Sequence, residues 1–167
     1  MPDEIWTGGC QCGAVRYKFT VRPDNPGICH CRMCQKQFGN FFGSFAGSHT
    51  DHFRLTRGHL AIFESSADAE RGFCRDCGTP LTYKAKSRPR ISVSIGSLDR
   101  HSEMKPQSQF GLEAREPWLG ELDQLPGTRT GDGDNGEGDT PERFEKIRTS
   151  NRQHPDHETP HWPDSTP

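Results

Sequence analysis

No stretch of this chain approaches the roughly 20 consecutive apolar residues that a membrane-spanning helix needs. The opening "MPDEIWTGGC" also lacks the basic start and apolar centre of a secretory signal. The expectation is a soluble, cytoplasmic protein with no membrane partner. Basic excess is missing too: 21 Lys and Arg stand against 23 Asp and Glu, and the pI is near 6.4. That balance excludes the broad positive surface that tracks nucleic acid phosphates, so no nucleic acid partner is expected. Apolar residues make up 29% of 167 residues and mean hydropathy is −0.92, which leaves material for one core and not for two.

An even cysteine count is also absent. Seven thiols cannot all pair, and in a reducing compartment closely spaced cysteines bind metal or do redox chemistry more often than they form disulfides. They fall into three groups: Cys10 and Cys12 in "GGCQCGAVRY", Cys29, Cys31 and Cys34 in "CHCRMC", and Cys74 and Cys77 in "FCRDCGTPL". Gly8, Gly9, Gly13 and Gly78 flank them and can take positive φ, as tight metal-binding turns require. Structural zinc sites close with four protein ligands, whereas catalytic ones keep three and leave a position open. Seven thiols therefore suit a closed site from residues 10, 12, 74 and 77 and an open one from residues 29, 31 and 34. Spacing alone leaves open a single site drawn from any four of the seven.

Long runs of alternating pattern are few. "AVRYKFTV" (14–21), "FFGSFAG" (41–47), "HLAIFES" (59–65), "LTYKA" (81–85) and "ISVSIGSL" (91–98) are short, branched or aromatic, and bounded by turn formers. They predict a mainly β domain over residues 1–126, built of two packed antiparallel sheets. One early helix is expected over "RMCQKQFG", ending at Gly39. Trp118, Phe38, Phe41, Phe42 and Phe45 are expected in the core. From Gly127 onward the chain is rich in Gly, Asp, Pro and Thr, with five basic and nine acidic residues and Phe144, Ile147 and Trp162 as its large apolar groups. Residues 127–167 are therefore expected as a low-complexity, disordered acidic tail, with a helical turn or two in "PERFEKIR" and solvated histidines at 154, 157 and 161.

"GGCQCGAVRY", "CHCRMCQKQFG", "FCRDCGTPL", "SVSIGSLD" and "EPWLGELDQLP", taken in order, resemble the successive motifs of the glutathione-dependent formaldehyde-activating enzyme family, whose domain also occurs in centromere protein V. The resemblance covers about residues 5–126 and all seven cysteines. It implies an Mss4-like β-tent with two zinc ions. Cys10, Cys12, Cys74 and Cys77 match the structural ligands, and Cys29, Cys31 and Cys34 the catalytic set. The implied reaction is a carbon–sulfur lyase reaction run in reverse, joining glutathione to formaldehyde as S-hydroxymethylglutathione. Many members carry a histidine about nine residues before the tryptophan that Trp118 matches; this chain has Gln109.

A zinc ion held by three thiolates carries a net charge near −1 and suits a further soft ligand such as a small thiol. Glutathione also brings carboxylates, for which Arg32 and Lys36, one helical turn apart, are candidate partners. Phe38 and Gly39, directly after the metal turn, complete the candidate substrate contacts. His30 would point away from Cys29 and Cys31 in a strand and is not expected to ligate. A non-catalytic zinc module that binds a protein partner is the alternative, but the only extension here is acidic and polar. A methionine sulfoxide reductase would need a late cysteine, and none follows Cys77. Oligomeric state is not legible.

Overall fold

The computed structural model describes residues 4–130 and 140–161. Ten short strands and two helices form, with 3-10 turns between them: β1 (Trp6–Gly9), β2 (Arg16–Phe19), β3 (Asp24–Cys29), α1 (Arg32–Phe38), β4 (Gly43–His49), β5 (Phe53–Arg57), β6 (Ala61–Ser66), β7 (Ala69–Phe73), β8 (Pro80–Ala85), β9 (Arg90–Ser94), β10 (Ser108–Phe110) and α2 (Pro141–Ser150). A three-stranded sheet has the order β1-β2-β5, and a seven-stranded sheet the order β10-β3-β4-β9-β8-β7-β6. The protein is mainly β with two sheets, as expected. All pairings are antiparallel except that of β10 with β3, which makes the larger sheet mixed.

Each of the five expected runs contains a strand. The other five strands carry no strong pattern, and β3 shows why. Its residues "DNPGIC" hold a proline, a glycine and Asn25 at φ 48°, and its register with β4 shifts between Asp24 and Gly27. Such a bulged strand is held by its neighbours rather than by local propensity. The last expected run stops being strand at Ser94, where a 3-10 turn over Ile95–Ser97 begins.

The core lies where both sheets meet. Trp6, Tyr17 and Phe19 from the small sheet join Ala46, Leu81, Ile91 and Val93 from the large one, with Ile95, Leu98 and Met104. The aromatic expectation needs correcting here. Phe41 is 42% and Trp118 38% exposed, and Phe38, Phe42 and Phe45 are only half-buried. Gly8 is likewise no turn residue: it sits in β1, where a Cβ would lie 2.4 Å from the Tyr17 hydroxyl and 2.4 Å from the Ser97 carbonyl. Its lack of a side chain lets the Tyr17 hydroxyl reach Ser97 Oγ at 2.7 Å, so the buried phenol is satisfied.

The described residues form two compact units, 4–116 with 154–161, and 117–130 with 140–153. The second holds a 3-10 stretch over Pro117–Gln124 and α2, which is capped by the Thr140 side chain accepting from the Arg143 amide and has Pro141 in its first turn. Trp162 lies outside the described residues. His154, expected in solvent, is instead buried at 2% exposure within the first unit, because its amide donates to the Gln11 carbonyl at 2.7 Å and its ring meets Thr159, Arg16 and Arg57. Among the described residues no helix is long and apolar enough to cross a membrane.

Arg16 anchors this corner. It is buried against Asp99, with bonds of 2.8 and 2.5 Å, and Thr7 Oγ1 also donates to Asp99 at 2.6 Å. Glu158 approaches Arg16 from a more exposed position at 2.9 Å. Removing one member of a buried pair strands the other, whereas a half-exposed partner contributes little. Asp99→Asn is therefore expected to lower the unfolding free energy by about 3 kcal/mol and Glu158→Gln by less than about 1 kcal/mol, both read from urea denaturation.

Candidate metal centres and the adjoining cavity

Two turns of similar build carry the first four thiols. In the β1–β2 turn the Cys10 amide donates to the Val15 carbonyl at 3.0 Å and the Gly13 amide to the Cys10 carbonyl at 3.1 Å. In the β7–β8 turn the Cys74 amide donates to the Thr79 carbonyl at 3.0 Å and the Gly78 amide to the Cys74 carbonyl at 2.9 Å. Gly13 and Gly78 take φ of 75° and 76°, the left-handed conformation that closes each turn. The Gln11 amide reaches Thr79 Oγ1 at 3.0 Å and ties one turn to the other. Since β1 belongs to the small sheet and β8 to the large one, this contact joins the sheets.

The sulfurs of Cys10, Cys12, Cys74 and Cys77 all lie within 4.8 Å of one another, with Cys10–Cys12 at 3.6 Å and Cys12–Cys74 at 3.8 Å. All seven cysteines are free. A tetrahedron of four sulfurs about 2.3 Å from zinc has edges of about 3.8 Å, so the donor set fits such an ion. Burial raises the Cys10 thiol strongly and also raises Cys12. Cys77 is the exception: against the upward pull of burial, the Thr79 hydroxyl and the Thr79 and Cys12 amides hold it at about 6.

The second group is assembled where β3 meets α1. Cys29 ends β3, Cys31 caps α1, and Cys34 lies one turn in; their sulfurs are within 4.8 Å of one another. The helix stops where the sequence predicts, at Gly39 with φ 55°. Burial raises Cys29, and it pushes Cys34 up to about 12 despite an Arg71 hydrogen bond. For Cys31 burial is outweighed by the Cys34 amide and the neighbouring thiols, and its value falls.

A cavity of about 580 Å³ opens beside these three thiols over one face of the large sheet. Phe45, Gly47 and Ser92 face it, while Ala46 and Val93 between them enter the core, the alternation that a strand imposes. Tyr83, Met33 and Phe110 give it apolar wall, and Arg71, Arg88 and Arg90 give it positive charge. Arg90 is engaged by Asp24; Asp68 is engaged by Ser87. Arg88 is exposed and has no acidic partner among the described residues.

Of the residues singled out by sequence, Cys29, Cys31 and Cys34 line this cavity, and Arg32, Lys36, Phe38 and Gly39 do not. Arg32 bonds Gln35 at 3.2 Å, Lys36 is exposed, Phe38 packs edge-on against Phe45 at 5.2 Å, and Gly39 serves as the helix cap. His30 is fully buried and bonds Gln109 through Nε2 at 2.9 Å, outside the thiol group. Arg71, which touches Cys34, carries no local signal: it is 37 residues away in a strand with no motif.

Residues 5–113 match the family model described as "Glutathione-dependent formaldehyde-activating enzyme". An uncharacterized lyase of Schizosaccharomyces pombe is 29% identical over 83 residues, which are 50% of this chain and 58% of that protein. The match therefore spans less than two thirds of that relative. A crystal structure of a Rhodobacter sphaeroides protein superposes with a TM-score of 0.51 at 22% identity, over 62% of this chain and 98% of the other, and so shares the fold.

Metal can enter these sites only by displacing thiol protons, so affinity rises with pH. Because Cys34 is protonated at neutral pH, zinc at the three-thiol site should weaken about tenfold per unit of acidification for each proton displaced, as followed by competition with a chelator. Cys74→Ser should lose soluble expression, while Cys31→Ser should stay folded and hold one metal ion fewer by native mass spectrometry.

Proposed function

The chain belongs to the glutathione-dependent formaldehyde-activating enzyme family, and from that premise we propose that it is a zinc enzyme of the carbon–sulfur lyase type, joining formaldehyde to the thiol of glutathione or a related small thiol. The observation that carries this reading is the placement of three convergent thiols on the wall of a 580 Å³ cavity with arginines around it. A volume in the range of about 300–1,000 Å³ is that of a small-molecule site. The closed group of four has no such opening beside it among the described cavities.

Cys10, Cys12, Cys74 and Cys77 would hold a structural zinc, and Cys29, Cys31 and Cys34 a catalytic one. When bound at the three thiolates, zinc would supply a fourth position at which an incoming thiol is held as the thiolate. The chain's own residues then do the orienting. Arg88 offers its guanidinium group to a carboxylate of glutathione, in the fork geometry that suits it, and Arg90, already paired with Asp24, adds positive charge beside it. Tyr83, Phe45 and Phe110 cover the apolar part of the tripeptide and exclude water from the reacting sulfur.

The sulfur attacks the carbonyl carbon of formaldehyde held beside it, a carbon–sulfur bond forms as the carbonyl π bond opens, and the proton lost by the thiol ends on the new hydroxyl oxygen. Proximity and a thiolate at neutral pH supply the rate. Arg32 and Lys36 lie outside the cavity lining and contribute only the positive charge of the helix that carries Cys34. Phe38 contributes through Phe45, against which it packs, and Gly39 by ending the helix.

Calorimetric titration of glutathione into zinc-loaded protein should give binding that Cys31→Ser abolishes and Arg88→Ala weakens about tenfold, the effect of roughly 1.4 kcal/mol from one charged contact. Binding that survives in Cys31→Ser would overturn the assignment of the thiol to this site.

A further inference from the structure

Arg71 stands in an unusual electrostatic position. It projects from β7, is 3% exposed, and lines the cavity beside the three thiols. Its Nη2 donates to Cys34 Sγ at 3.4 Å and its Nη1 to Gln37 Oε1 at 2.6 Å, and the guanidinium lies 5.1 Å from the centre of the Tyr83 ring. Its Nε is buried without an acceptor among the described residues. None of the acids around it is its partner: Glu70 pairs with Lys84, and Asp68 accepts from Ser87. A guanidinium cannot shed its proton in a protein, and burying it without an anion is costly. Of the hydrogen-bond partners of Arg71 among the described residues, Gln37 and Cys34, the sulfur of Cys34 is the one that can become an anion.

Resting on the reading of this group as a metal site, we infer that Arg71 is the built-in counter-charge of the three-thiol site. Its positive charge offsets the net −1 of a divalent ion with three thiolates, and so lets the site accept a fourth ligand that is itself anionic. The charge count favours this role. Metal, three thiolates and Arg71 sum to neutrality, whereas without Arg71 a fourth thiolate would raise the local charge to −2 in a partly buried place. Tyr83 and Gln37 fix the guanidinium plane, so the charge is held in position before the ligand arrives. Arg71 is thus a positioning residue that selects for thiolates over neutral ligands.

The test uses cobalt-loaded protein, whose absorption reports the thiolate ligands of each site. Wild type, Arg71→Met and Arg71→Lys are compared for cobalt affinity by chelator competition, and then titrated with 2-mercaptoethanol and with imidazole as anionic and neutral fourth ligands. Arg71→Met should hold cobalt at the four-thiol site as wild type does, but lose at least about tenfold in affinity at the three-thiol site, with a comparable loss for 2-mercaptoethanol and little for imidazole. Arg71→Lys should recover most of both losses. Equal losses for both ligands, no loss at all, or failure of lysine to rescue would overturn the inference. Wild-type protein that ignores the thiol, while Arg71→Met still loses cobalt and lysine restores it, would sink the glutathione reading and leave the counter-charge standing.

Discussion

The tie between the β1–β2 turn and the β7–β8 turn is the constraint on which the rest depends. The two turns belong to different sheets, and they meet through the Gln11–Thr79 bond and four sulfurs close to the edges of a zinc tetrahedron. A domain with so little apolar material would gain disproportionately from a metal ion at such a joint, because metal binding at structural sites supplies free energy on the order of 10 kcal/mol, comparable to the whole stability of a domain. Once the sheets are joined, Trp6, Tyr17 and Phe19 face the strands of the large sheet, and the opposite face of that sheet is left to line a cavity.

Charge is managed in both parts of the first unit by the same means. Arg16 is buried with Asp99 as its permanent partner, and nothing there is left to react. Arg71 is buried with Gln37 and the Cys34 thiol as its hydrogen-bond partners and no acid paired with it among the described residues, so the inferred balance is completed when that thiol ionises. The first arrangement holds the fold, and the second prepares a site for an anion. Residues 154–161 reinforce the first by laying His154, Glu158 and Thr159 over Arg16 and Arg57.

The pairs at 10/12 and 74/77 and the triplet at 29/31/34 were legible in the sequence because each is local, two or three cysteines within six residues, whereas the joining of the two pairs across 62 positions was suggested by the cysteine count and the family resemblance, not by spacing. The helix end at Gly39 was legible because it too is local. What escaped was whatever depends on strand order. Arg71 on β7 reaches Cys34 on α1 across 37 positions, and Arg16 meets Asp99 across 83 positions. The strand "DNPGIC" has no propensity of its own, and the packing of residues 154–161 rests on a few polar contacts that composition cannot reveal. Arg32 and Lys36 were suggested by helical spacing, which fixes the face they share but not whether that face lines the cavity, and neither residue does.

The central claim is that seven thiols make one closed and one open metal site. X-ray absorption at the zinc edge of fully loaded protein tests it most directly. The account predicts about 3.5 sulfur neighbours per zinc on average, rising to about 4 when glutathione is added. A count that glutathione leaves unchanged, or four sulfurs per zinc before it is added, would contradict it.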